Sequence, residues 1–159
     1  MAVKFGNPSS ARFAFPDEPR HWNNLGLFLR DEGERLELAA HAKKEPPPDA
    51  ALLADLYERS YAAYQRALTL TPDDPQLLND TALMLQYHLG RDRGEIEAMY
   101  RRSIALSEQR LADPALSPED RERFETTLRD AKANLKLLLE ASQPESAAAE
   151  PGVARPATS

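Results

Sequence analysis

The sequence predicts an all-α protein of about five helices, built as two helical hairpins and one closing helix. Three observations carry that expectation. Apolar side chains recur at steps of three and four residues through most of residues 17–141, as in Tyr61-Ala62-Ala63-Tyr64-Gln65-Arg66-Ala67-Leu68. Prolines and capping residues coincide at the breaks: Asp17-Glu18-Pro19, Pro46-Pro47-Pro48-Asp49, Pro72-Asp73-Asp74-Pro75 and Ser117-Pro118. No segment carries a strand signal. A helix stopped by proline where the next one opens at once is the punctuation of a stacked helical repeat.

The expected organisation is an extended arm (1–16), a helical domain (17–141) and a tail (142–159). The arm holds Gly6, Asn7-Pro8, Ser9-Ser10 and Pro16, breakers too closely spaced for a regular helix. Phe5, Phe13 and Phe15 are expected to anchor it along the first hairpin; the alternative is that an earlier repeat precedes Pro16 in a longer array. The first helix opens at Asp17-Glu18-Pro19, read as a cap, an acid on the positive helix end and a proline in the first turn. It carries Trp22, Leu25, Gly26 and Leu29. Residues 34–44 continue with good helix formers and end in Lys43-Lys44, before Glu45 and three prolines stop the run. Asp49 then caps a stretch that flows unbroken into the Tyr61–Leu70 helix. Gly33 is a competing turn signal, but no Pro, Asn or Ser accompanies it. One elongated hairpin, 17–72, is therefore expected, with the prolines at its tip.

The second hairpin, 75–112, opens at Pro75 and turns at Leu89-Gly90-Arg91-Asp92-Arg93-Gly94. Its second helix is expected to run to about Leu111, where Asp113-Pro114 follows. Ser117-Pro118-Glu119-Asp120 starts the closing helix, 118–141, with the cap, the proline and the acids in their preferred places. Phe124, Leu128, Ala131, Leu135 and Leu138 form one apolar seam, as a capping helix requires. The tail is mostly Ala, Pro, Ser and Glu and is expected to be disordered.

His21-Trp22-Asn23-Asn24-Leu25-Gly26-Leu27-Phe28-Leu29, followed by Ser60, Tyr64, Ala67 and Pro72, resembles the tetratricopeptide repeat. The first helix of that repeat carries the W-x2-L-G-x2-Y pattern, with Leu29 here in place of the tyrosine. Leu78, Thr81, Ala82, Leu85, Tyr100 and Ser103 take the same places in a second unit, while Glu108 stands where a terminating proline belongs. Trp22 and Leu78 are 56 residues apart, against a period of about 34, so about 22 residues are inserted in the first unit. Each of its helices is thereby lengthened by about 10 residues, or ~15 Å. The resemblance covers residues 17–112. It implies a right-handed α-solenoid whose first helices line a peptide-binding groove. That groove would present Arg20, Asn23, Leu27 and Arg30 from one helix and Gln76, Asn79, Leu83 and Gln86 from the other. The family's subgroup that clamps a terminal carboxylate is disfavoured, because Asn23 stands for a lysine and Asp80 for an asparagine.

Composition excludes several other functions. The 159 residues carry 26 acids against 20 bases, a net charge of −6 that repels nucleic acid and anionic membranes. The absence of cysteine removes disulfides, thiolate nucleophiles and thiolate zinc sites together. No apolar run approaches the ~20 residues of a membrane span, and no apolar core of a signal peptide follows Met1, so a cytoplasmic protein is expected. His21, His41 and His88 are isolated, so no metal is expected. No phosphate loop, nucleophile motif or assembled acid–base set is present; neither a cofactor nor an enzymatic activity is expected. Arg91, Arg93, Arg101, Arg102 and Arg110 form a basic concentration that supports an RNA-associated reading, with pairing to Glu95, Glu97 and Glu108 as the plainer explanation. The leading expectation is a non-catalytic scaffold binding a protein or peptide segment by its groove or its long hairpin. The alternative is self-association through that hairpin, or service within a longer array.

Overall fold

Five helices follow one another in a computed structural model that describes residues 17–141: α1 (Pro19–Lys43), α2 (Ala50–Leu70), α3 (Pro75–Met84), α4 (Arg93–Leu111) and α5 (Pro118–Glu140). The arm with Phe5, Phe13 and Phe15, and the tail from residue 142, lie outside the described residues. No strand occurs among the described residues. Each helix packs on the next in sequence, and α3 also packs on α5.

The caps follow the local chemistry with one exception. Asp49, Asp74, Asp92 and Ser117 each accept a hydrogen bond from a backbone N–H in the first turn of α2, α3, α4 and α5. Asp17 does not cap α1. Its carboxylate reaches across to Arg66 on α2 at 2.6 Å, and Glu18 occupies the cap position without a side-chain bond. The far end of α1 closes with Lys44 in the left-handed region (φ 56°), where the Glu45 N–H donates to the Ala40 carbonyl at 3.0 Å. Pro46 to Pro48 then carry the chain over to α2.

α1 runs through Gly33 without turning, and packing explains why. A Cβ on Gly33 would lie 2.5 Å from the Tyr57 ring, and one on Gly26 would lie 2.8 Å from Tyr64. Both glycines thus admit an aromatic ring of α2 against the α1 backbone. Tyr64 is 0% exposed, and the Ser60 hydroxyl donates to the Gly26 carbonyl at 2.7 Å. Tyr57 is fastened by its hydroxyl to Glu37 at 2.6 Å.

The core continues from α2 into the second hairpin through Ala67, Leu77, Ala82, Met84, Leu85, Ile96 and Tyr100, and into α5 through Leu135 and Leu138. Tyr100 sits at the sequence position equivalent to Tyr64 and is equally buried. Trp22 is half-buried against this core, Leu25 is half-buried, Leu78 is buried, and Pro72 is exposed at the end of α2.

The end of α3 departs from the expected course. Beyond Met84 the chain makes a π turn, Leu85–Leu89, closed by Gly90 at φ 57°. The turn brings His88 onto the Tyr57 ring at 4.2 Å, with Nε2 3.0 Å from Glu34. Arg91 beyond it pairs with Glu58 at 2.6 Å and lies over the Tyr61 ring. These bonds join the hairpins at Glu34, Tyr57 and Glu58. Past that level the first hairpin carries Leu38 and Leu52, 70% and 46% exposed.

Gly26→Ala and Gly33→Ala are expected to destabilise the protein by about 1–3 kcal/mol, overpacking outweighing the gain in helix propensity. Lys44→Gly is expected to stabilise it by roughly 1 kcal/mol by relieving the left-handed backbone. Urea unfolding midpoints check all three, and a Gly33→Ala chain as stable as wild type would contradict the close contact with Tyr57.

Candidate functional site

Residues near the starts of α1, α3 and α5 border a common opening. A furrow opens between them as two adjoining clefts that share Gln76 and Arg123. The first, about 360 Å³, lies between Glu18, Arg20 and Asn23 of the α1 end and Asp74, Gln76 and Leu77 of the α3 end. The second, about 350 Å³, lies between Gln76, Asn79 and Asp80 of α3 and Glu119, Glu122, Thr126 and Asp130 of α5.

Among the residues expected to form a groove, Arg20, Asn23 and Gln76 meet in the first cleft, and Asn79 lines the second. Asn79 is nevertheless a packing residue: it is 6% exposed and accepts a hydrogen bond from Asn134 of α5 at 3.1 Å. Gln86 is turned away, its Oε1 accepting from the Tyr100 hydroxyl at 2.7 Å. The π turn breaks the 3.6-residue spacing on which its placement rested, and Tyr87 is exposed in its stead. Leu27 is exposed and Leu83 half-buried, and neither lines the two clefts. Arg30 is held on its own helix by Asp31 at 3.0 Å and by Glu34 at 3.6 Å.

The carboxylates of α5 were not part of the expected groove. Glu119, Glu122, Thr126 and Asp130 recur at helical spacing beside the apolar seam. That row was legible, but a closing helix with one packed side directs attention to the seam and leaves the row as solvent-facing charge.

Asp80 has the most perturbed carboxyl of the furrow. Burial pushes it up from 3.8 to about 6; Arg30 and a hydrogen bond from Asn79 oppose the shift, and Asp74 and Asp130 add to it. In the first cleft the Oδ1 of Asn23 is buried without a hydrogen-bond partner. Elsewhere, the arginine concentration is largely engaged: Arg91 by Glu58, Arg101 by Glu97 at 2.7 Å and Arg102 by Asp73. Glu108 pairs with Lys132 of α5 at 2.8 Å instead of with an arginine. A separate cleft of about 310 Å³ between α2 and α4 is lined by Leu68, Pro72, Leu78, Ala98 and Met99, with Glu95 and Arg102 at its edge.

Among the described residues no group of three or more histidines and carboxylates converges as a metal site, and no helix is long and apolar enough to cross a membrane. Comparison with family models, curated proteins and solved structures finds no match to this chain.

Because Asp80 keeps its proton to a higher pH when folded than when unfolded, its contribution to stability is fully present below pH 3.8 and is lost as pH rises through about 6. Asp80→Asn is therefore expected to stabilise the chain around neutrality by up to about 3 kcal/mol, with the gain vanishing toward pH 4. Thermal unfolding across that range checks it; a constant difference at all pH values would contradict the buried charge.

Proposed function

We propose that this chain is a non-catalytic interaction module of the tetratricopeptide kind, taking a segment of another protein in the furrow between α1, α3 and α5. The observation that carries the reading is the pair of open clefts sharing Gln76 and Arg123, since together they make one trough walled by three helices. Polar groups along a trough can bond the backbone and side chains of an extended or helical segment. The correspondence of Gly26 and Ala82, and of the buried Tyr64 and Tyr100, supports an internal repeat. A cytoplasmic location, expected from the lack of a signal-peptide core and of a membrane span, belongs to the same proposal. The ion pairs of Arg91, Arg101 and Arg102 weigh against the RNA-associated reading, because those charges are already answered within the chain.

A second reading is favoured by one observation of its own. Leu38 and Leu52 are exposed on the part of the first hairpin that extends past its contacts with the second. Two such tips packed together would bury these leucines in a self-associated form.

Gln76→Trp places a large side chain at the junction of both clefts from an exposed position. In selection from a random-peptide display library it is expected to lose enrichment by about tenfold or more relative to wild type, the equivalent of about 1.4 kcal/mol. Equal enrichment by a folded Gln76→Trp chain would rule out the furrow. Sedimentation velocity decides the second reading: a dimer that Leu38→Glu/Leu52→Glu dissociates is its expected result, and a monomeric wild type excludes it.

A further inference from the structure

The furrow is unevenly charged. Glu18, Asp74, Asp80, Glu119, Glu122 and Asp130 line its two clefts against only Arg20 and Arg123. Arg123 is itself engaged by Asp120 at 3.1 Å. Asp74 caps α3, and Asp130 is partly answered by Arg129 at 3.1 Å, which does not itself line the clefts. The whole chain has a net charge of −6 over 159 residues, so six carboxylates against two guanidinium groups is a local concentration.

One lining group adds to the demand for donors. Asp80, in the second cleft, is largely desolvated and only partly answered by Arg30, whose guanidinium is shared with Asp31 at 3.0 Å and Glu34 at 3.6 Å. Guanidinium and ammonium groups answer such a surface, offering five and three donors with no acceptor. A volume of about 350 Å³ lies at the small end of ligand sites. It has room for a side chain or two of a bound segment.

We infer that the segment taken by the furrow is basic, a lysine- or arginine-rich stretch of a partner protein whose side chains seat between α3 and α5 over Asp80. The inference rests on the peptide-binding reading above and adds the chemistry of the occupant. Opposite charge steers the encounter and excludes acidic segments, whose carboxylates would meet an already crowded row. The apolar cleft between α2 and α4 takes no part.

The test is selection from a random-peptide display library against the full chain, followed by affinity measurement on the enriched peptides in physiological salt. Peptides enriched by wild type are expected to be rich in Lys and Arg. Asp80→Asn/Asp130→Asn is expected to weaken them at least about tenfold, whereas Glu125→Gln/Asp55→Asn, which removes the same charge away from the furrow, should change affinity less than about twofold. Asp80→Asn replaces a buried carboxyl by a neutral group of similar shape, so the double variant is expected to fold. Equal weakening by both pairs would overturn the inference, since the attraction would then be general to an acidic protein. Neutral or acidic peptides that still depend on Gln76 would overturn it while leaving the peptide-binding reading in place. Absence of any enrichment would remove both.

Discussion

The close approach of α1 and α2 along Gly26 and Gly33 is the contact on which the other elements depend. Two rings, Tyr64 and Tyr57, lie against glycine backbone where no side chain leaves room for anything wider. Glycine in a helix interior costs about 1 kcal/mol relative to alanine, so packing must offset what propensity opposes. Once the rings are seated, their neighbours on α2 are committed as well. Ser60 bonds the Gly26 carbonyl and touches the Met84 sulfur, Tyr61 underlies Arg91, and Tyr57 stacks on His88. The second hairpin is thus docked on a surface that the first creates.

α5 closes the core and also builds the site. Its seam of Phe124, Ala131, Leu135 and Leu138 is buried, and Asn134 at the edge of that seam bonds Asn79. The adjoining row, from Glu119 to Asp130, becomes the second wall of the furrow. One helix therefore stabilises α3 and changes the electrical character of the trough beside it. Asp80, the furrow's most perturbed carboxyl, lines the cleft that this row walls.

Much of this architecture was legible because local chemistry and global packing agree. Asp49, Asp74 and Ser117 announce helix starts that the backbone makes, and the seam of α5 has a period only a helix can satisfy. The course through Gly33 was legible for a negative reason, since no turn-building residue stands beside it. Three features escaped. Asp17 looks like a cap but finds Arg66, 49 positions away in sequence, a better partner. The π turn at Leu85 has no strong sequence marker, and it carried Gln86 off the face to which even spacing assigned it. Asn79 falls on the outer face of α3 taken alone, and nothing in a single helix shows that α5 will lie across it.

By itself the sequence determined the helices, their order, most of their caps and the unbroken run of α1 through Gly33. These follow from interactions among residues a few positions apart, whose energies do not await the rest of the chain. It also determined the supply of carboxylates and the lack of cysteine. Tertiary structure alone decided which of those carboxylates stand together. Glu18, Asp80 and Glu122 come from three helices, and whether they face a common trough depends on how α1, α3 and α5 pack, since charge along a sequence becomes a site only when separate elements bring it to one place and exclude water from part of it.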